Sequence, residues 1–193
     1  MTTSYQQLIL SLLTLASFST LRAQAQDISS TPALACPTPE SGNGYVEPGE
    51  LIRELYRLVS APAGASKNWT RLRSLHAPNA TITFPQHVGD KLHATTYNVE
   101  QFTALNDKLF GKRGFFEVEL RQEVQIFGHV AHVWSAYASS ESVDGKPYTY
   151  GINSFQLLNN GQYWCVLSAT WDGDVTRHNS IRDWAGLPNA STP

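Results

Sequence analysis

Hydrophobic and polar positions along this chain change period once, from a helical spacing in the first half to strict alternation in the second. Leu51, Ile52, Leu55, Tyr56, Leu58 and Val59 recur at i, i+1, i+4, i+5, i+7 and i+8, an apolar stripe of helical period. Pro48 suits a first helical position, and Ala61-Pro62-Ala63-Gly64 stops the run. A shorter helix is predicted from Asn68, with Trp69, Leu72 and Leu75 at helical spacing and Ala77-Pro78-Asn79 as its stop. Residues 80–84 read as a short strand ended by Pro85. A third helix opens at Asn98, whose side chain can cap it, while Gln101 stands where a capping box needs it and Tyr97 can staple against Phe102. Phe102, Leu105, Leu109 and Phe110 are its expected buried face, and Gly111 and Gly114 break it.

From residue 117 the period becomes two. Residues 117–127, 130–139, 148–158 and 163–171 are predicted as four consecutive strands. Gly128, Asp144-Gly145 and Asn159-Asn160-Gly161 supply the turns, and Asn-Gly between alternating runs is a strong hairpin signal because both residues tolerate positive φ. In the first strand Val118, Leu120, Val124 and Ile126 alternate with Glu117, Glu119, Arg121 and Glu123, so the apolar set is expected inward and the charged set in water. Gln122 is the one polar residue on the apolar side. In the third strand Asn153 shares the apolar face with Gly151, Phe155 and Leu157. The expectation is an α+β fold: a curved antiparallel sheet, a four-strand meander plus a short first strand, wrapped over three N-terminal helices and enclosing a pocket.

Composition narrows the class. A chain of 193 residues supports one domain with appendages, and 41% hydrophobic with 11% aromatic content supports a core rather than disorder. Charge is nearly balanced, 14 Lys+Arg against 16 Asp+Glu, with no basic stripe, so no nucleic-acid partner is expected. Residues 8–18 are an apolar run, shorter than the roughly 20 residues that span a bilayer. Ala23-Gln24-Ala25 follows as a small-x-small cleavage pattern, so residues 1–25 read as a signal peptide, although no Lys or Arg precedes the run. The expected location is secreted or periplasmic, with no membrane partner after cleavage. Residues 26–46, dense in Pro, Ser, Gly and Thr, read as a flexible linker, 47–175 as the domain and 176–193 as a polar tail. Cys36 and Cys165 are the only thiols. An oxidising compartment would allow them to pair, but one falls in the linker and the other mid-strand, and a buried free Cys165 is the simpler expectation.

The stripe over 51–59, the run from Trp69 to Phe84, Gly151-Ile152-Asn153-Ser154-Phe155-Gln156-Leu157 with Asn160-Gly161, and the closing Trp171-Asp172 together resemble the cone-shaped fold of the nuclear transport factor 2-like superfamily. That group includes ketosteroid isomerases, SnoaL-like polyketide cyclases, scytalone dehydratase and limonene epoxide hydrolase. The resemblance implies roles for two residues: Tyr56 falls where ketosteroid isomerases carry a tyrosine donor, and Asn153 where they carry a protonated aspartate. An amide donates without any pKa adjustment. The general base of those enzymes is an aspartate before a proline that ends the first strand. Here that place holds Phe84, followed by Pro85, which counts against the isomerase mechanism. No Asp-Arg-Asp constellation can be placed on inward faces, which counts against epoxide hydrolysis.

Histidine offers a different base. His129 and His132 point to opposite faces of a strand and cannot chelate together, so no metal and no cofactor are expected. His76, His87 and His93 flank the first strand and the loop after it, where a base near neutral pH could act. The catalytic candidates are therefore Tyr56, Asn153 and His76. The ligand-binding set adds Phe84, Gln122, Trp134, Tyr137, Phe155 and Trp171 as pocket walls or contacts. Three functions stay open: a module binding a small hydrophobic molecule, a SnoaL-like lyase, cyclase or isomerase with a His base, and an interaction domain forming a homodimer through its outer sheet face.

Overall fold

The computed structural model describes Cys36, residues 44–173 and residues 183–186. The expected signal peptide, most of the linker and most of the polar tail lie outside the described residues. Among the described residues, and apart from a short helical turn at 183–185, three helices, α1 (Pro48–Val59), α2 (Trp69–Ser74) and α3 (Val99–Phe110), accompany six strands. These are β1 (His76–Val88), β2 (Lys91–Asn98), β3 (Phe116–Phe127), β4 (Val130–Ser140), β5 (Thr149–Asn159) and β6 (Trp164–Asp172). The strand order is β2-β1-β6-β5-β4-β3, with β1 and β6 parallel and every other pair antiparallel. This is the expected α+β architecture, a curved and unclosed sheet, now with a sixth strand.

Local chemistry accounts for the helices. α1 has proline at its start, Glu50 in its first turn and Arg57 in its last, each suiting the helix dipole. Its stripe packs against β3, β4 and β6. Leu51, Ile52, Leu72, Val133, Leu157 and Val166 are fully buried, each contributing about 1.5–3 kcal/mol by leaving water. α3 carries the expected capping box: the Gln101 amide donates to Asn98 Oδ1 at 2.8 Å, and the Asn98 amide to Gln101 Oε1 at 3.0 Å. Its buried face differs from expectation. Val99, Thr103 and Asn106 are buried and Phe102 and Phe110 partly so, whereas Leu109 is 53% exposed. Burying Val99 beside the cap sets the helix rotation, which carries 103, 106 and 110 inward and turns Leu109 out.

The first strand is longer than its apolar core, and β2 has no apolar signal. β2 is an edge strand, exposed from Lys91 to Ala94, with polar and charged side chains of the kind that protect edges. Pro85 does not end β1. Pairing with β6 finishes at Thr83, so only β2 lies beside that proline, a place where a residue without N–H is tolerated. The Asn159-Asn160-Gly161 turn forms as expected: Gly161 has φ 102°, and Asn160 Oδ1 accepts from the Gln162 and Tyr163 amides at 3.0 and 2.9 Å.

Two further expectations are corrected. Cys36 and Cys165 form a disulfide, buried with Ala77 and Leu158, so Cys165 is not a free thiol and the linker is fastened to β6. The linker's last residues are also engaged, since Tyr45 bridges to Trp164. The second correction concerns β3. Glu119 pairs with Tyr137, but Arg121 pairs with Ala136, so Leu120 is an unpaired bulge residue. An extra residue reverses the inward parity. Beyond the bulge the even residues face inward, with Gln122 opposite Ser135. Before it Glu117 and Glu119 face inward, while Val118, 54% exposed, and Leu120 lie on the outer face.

Candidate functional site

The concave sheet face and the helices enclose a cavity of about 250 Å³. Its walls are mostly apolar, among them Leu55, Val59, Ile82, Phe115, Phe155 and Ala169. Tyr148, 47% exposed, and exposed Arg113 line it where it meets solvent. Cross-strand pairing arranges the inner face in rungs, because residues opposite one another share a face. Val124, Val133, Phe155 and Ala169 form an apolar rung; Gln122, Ser135, Asn153 and Trp171 form the next; Glu117, Ser139 and Thr149 lie at the far end.

The middle rung holds a directed hydrogen-bond chain. Asn153 Nδ2 donates to the Tyr56 hydroxyl at 2.9 Å, which lies 2.7 Å from Ser135 Oγ, and Ser135 Oγ donates to Glu119 Oε1 at 2.5 Å. An ionised carboxylate only accepts. Ser135 therefore spends its proton on Glu119 and takes one from Tyr56. Tyr56 and Asn153 are thus brought together in the cavity, but with Glu119 ionised the tyrosine hydrogen points away from it. Burial raises the Tyr56 phenol well above its ordinary range, and the Glu117 carboxyl adds to the rise. Burial likewise raises Glu119, against the Ser135 bond and Arg53 Nε at 3.6 Å.

Glu117 is the functional candidate that the alternation of β3 concealed. The bulge turns it into the cavity, where burial pushes its pKa to about 8 and a 3.4 Å hydrogen bond from Ser139 Oγ only partly opposes this. It is therefore largely a neutral acid at neutral pH, able to donate a hydrogen bond or exchange its proton. Tyr137, also in the wall, has its phenol raised by burial first and then by Glu117. Gly151 makes room for it: a Cβ there would lie 2.5 Å from the Tyr137 hydroxyl and from the Asp172 carbonyl oxygen. A glycine facing an aromatic across two strands was the one sequence signal of this close approach.

His76 lines the cavity with its pKa lowered to about 4 by burial, and its Nδ1 lies 2.8 Å from the Leu72 carbonyl. The ring is neutral with Nδ1–H donating, which leaves Nε2 as an acceptor. His87 and His93 are exposed in the β1–β2 hairpin and do not line the cavity. Phe155 and Trp171 line it; Phe84 stands behind, stacked on Trp171 at 4.5 Å and on Tyr97 at 5.3 Å. Gln122 is not a wall residue, and its Nε2 donates to Glu119 Oε2 at 3.2 Å. Trp134 is on the outer face, 42% exposed, because β4 turns its odd residues inward. Asn106 also faces the cavity, receiving a 2.5 Å hydrogen bond from Lys67 Nζ.

Among the described residues no group of three or more His, Cys, Asp or Glu side chains is placed to hold a metal ion, and no helix is long and apolar enough to cross a membrane. Solved structures share the architecture. A protein of unknown function with a cystatin-like fold from Nostoc punctiforme has a TM-score of 0.50 and 9% identity, covering 65% of this chain and 87% of its own. A protein from Kribbella flavida has a TM-score of 0.50 and 18% identity, covering 65% and 86%. A nuclear transport factor 2-like protein of unknown function from Shewanella baltica is 20% identical over 68% of this chain and 98% of its own, with a TM-score of 0.46. No family model and no curated protein matches the sequence. At these identities the likeness is one of fold.

Proposed function

We infer that this chain, whose fold is that of the nuclear transport factor 2-like superfamily, is a binding protein for a small, mainly apolar molecule carrying a carbonyl or hydroxyl oxygen. The observation that carries the reading is Asn153. Its amide is anchored to Tyr56 through one N–H, inside a mostly apolar cavity, and its remaining hydrogen-bonding capacity is available to a ligand. The volume, about 250 Å³, suits a one- or two-ring molecule. Export to an oxidising compartment belongs to the same proposal, supported by the leader pattern and by the Cys36–Cys165 disulfide. A thermal-shift panel of small cyclic ketones and phenols against matched hydrocarbons tests it, because bound ligand raises stability by mass action. The expected result is a rise for the oxygenated members that shrinks in Asn153→Ala. No rise for any member overturns the reading and favours the interaction domain.

Glu117 favours a second reading, in which the bound molecule is also transformed by proton transfer, as a lyase, cyclase or isomerase would require. Its carboxyl replaces the expected histidine base, since His76 is held neutral and weakly basic. Hydrogens beside the carbonyl of a bound ketone would then exchange in heavy water. The rate would rise with pH toward about 8 as Glu117 ionises, and Glu117→Gln would abolish it. Exchange that survives in Glu117→Gln removes this reading.

A further inference from the structure

The chain from Asn153 to Glu119 connects the cavity to a carboxylate on its far side, and its middle bond can run either way. The 2.7 Å separation of the Tyr56 hydroxyl and Ser135 Oγ lets either atom be the donor. What decides between them is the proton inventory of Glu119. With Glu119 ionised, Ser135 must donate to it and Tyr56 must donate to Ser135. With Glu119 protonated, its O–H can donate to Ser135 Oγ, Ser135 can donate to the Tyr56 oxygen, and that oxygen still accepts from Asn153 Nδ2. The tyrosine O–H then has no partner inside the chain. The Ser135 carbonyl, 3.5 Å away, is a poor competitor for a ligand oxygen at ordinary hydrogen-bond distance.

We propose that Glu119 and Ser135 set the hydrogen-bond polarity of the cavity: when Glu119 takes up a proton, the chain reverses and Tyr56 turns its hydrogen toward a ligand oxygen. Both act through Tyr56 and are positioning residues. The inference rests on the cavity being a binding site, and adds that its preference for an accepting oxygen is governed by a carboxyl that the ligand never touches. Glu119 is placed to exchange protons with solvent, its side chain being 12% exposed. The groups facing it are Arg53 and Glu50 from α1, Gln122 from β3 itself and Ser135 from β4; burial first and then Glu50 favour the protonated form, while the Ser135 bond and Arg53 favour the ionised one. Tyr56 senses Glu117 as well, so that carboxyl has to be controlled for.

The test has two arms. In the first, the Asn153 side-chain amide and the Glu119 carboxyl are followed by NMR across a pH titration of the ligand-free Glu117→Gln protein. Asn153 cannot titrate, so the expected result is an amide shift with the midpoint of Glu119, lost in Ser135→Ala although Glu119 still titrates. An amide that does not move, or that moves as much in Ser135→Ala, overturns the relay. In the second arm, binding of 1-indanone, which only accepts hydrogen bonds, and of indane, which has no oxygen, to the same Glu117→Gln protein is measured below and above the midpoint that the first arm finds for Glu119. Indanone is expected to bind roughly five- to tenfold more tightly at the lower pH, the worth of one added hydrogen bond, with indane unchanged. Glu119→Gln, whose amide donates to Ser135 as the protonated acid would, is expected to bind indanone tightly at both. Indanone binding that ignores pH overturns the relay. Failure of both probes at both pH values overturns the binding reading, and the amide titration then decides the relay separately.

Discussion

The two halves of β3 have the same alternating pattern and opposite orientations. Beyond the Leu120 bulge the strand behaves as its pattern predicts, with Gln122 facing in and Glu123 and Gln125 facing out. Before the bulge the same alternation is inverted, with Glu117 and Glu119 inward and Val118 in solvent. One unpaired residue thus divides the inner face into an uncharged, mainly apolar part, with Gln122, Ser135 and Asn153 as its polar members, and a part that holds both carboxyls. Amphipathic alternation reports that a strand has two faces; it does not report which one is buried once the register is broken.

Removing the break is the most severe way to test that division. Deleting Leu120 would return Val118 to the cavity and expel both glutamates. We expect it to cost more than about 3 kcal/mol and to restore ordinary titration to Glu117, read by denaturant unfolding and carboxyl NMR. If Glu117 still titrates near 8, the bulge is not what holds it inside. On the apolar side, Leu157→Ala should cost about 2–5 kcal/mol in denaturant, because Leu157 is fully buried, while Ser139→Ala beside Glu117 should cost less than about 1 kcal/mol. Equal costs would erase the contrast between the two parts.

Glu117 also makes a prediction with a sign. Its folded pKa of about 8 lies above the ordinary value of 4.5, so the folded state holds a proton that the unfolded chain has released. Stability associated with this group is full below about pH 4.5 and is lost as pH rises through about 8. Glu117→Gln should remove that slope, leaving the variant more stable than the parent on the alkaline side by about 2–5 kcal/mol. Parallel pH profiles would contradict it. A smaller effect is expected at Tyr56→Phe, roughly 1 kcal/mol, since Asn153 Nδ2 and Ser135 each lose a partner. The smallest belongs to Trp134→Ala on the outer face, which should leave probe binding in the cavity unchanged.

Much of the fold was legible because its signals are local. The α1 stripe, the α3 capping box and the Asn-Gly turn each depend on residues within one or two turns of chain, and each formed where expected. β2 went unread because an edge strand presents little surface to a core and needs no apolar period. The disulfide went unread because spacing along the chain does not bring a linker cysteine onto β6. In the cavity, Tyr56, Tyr137, Asn153, Phe155, Trp171 and His76 were expected and do line it. Glu117, Ser135 and Glu119 were missed, since a glutamate in an alternating strand reads as solvated and a serine between Trp134 and Ala136 carries no signal at all.

The sequence by itself determined the order of the helices and the meander strands, the turn chemistry and the amide of Asn153 on the apolar face of β5, all set by the conformational preferences of near neighbours. Only the tertiary structure decided which carboxyl enters the cavity and where the Tyr56 proton points. Those depend on one bulge and on a hydrogen-bond chain joining residues 56, 119, 135 and 153, which no local preference can encode because their partners meet only after the sheet closes over the helix.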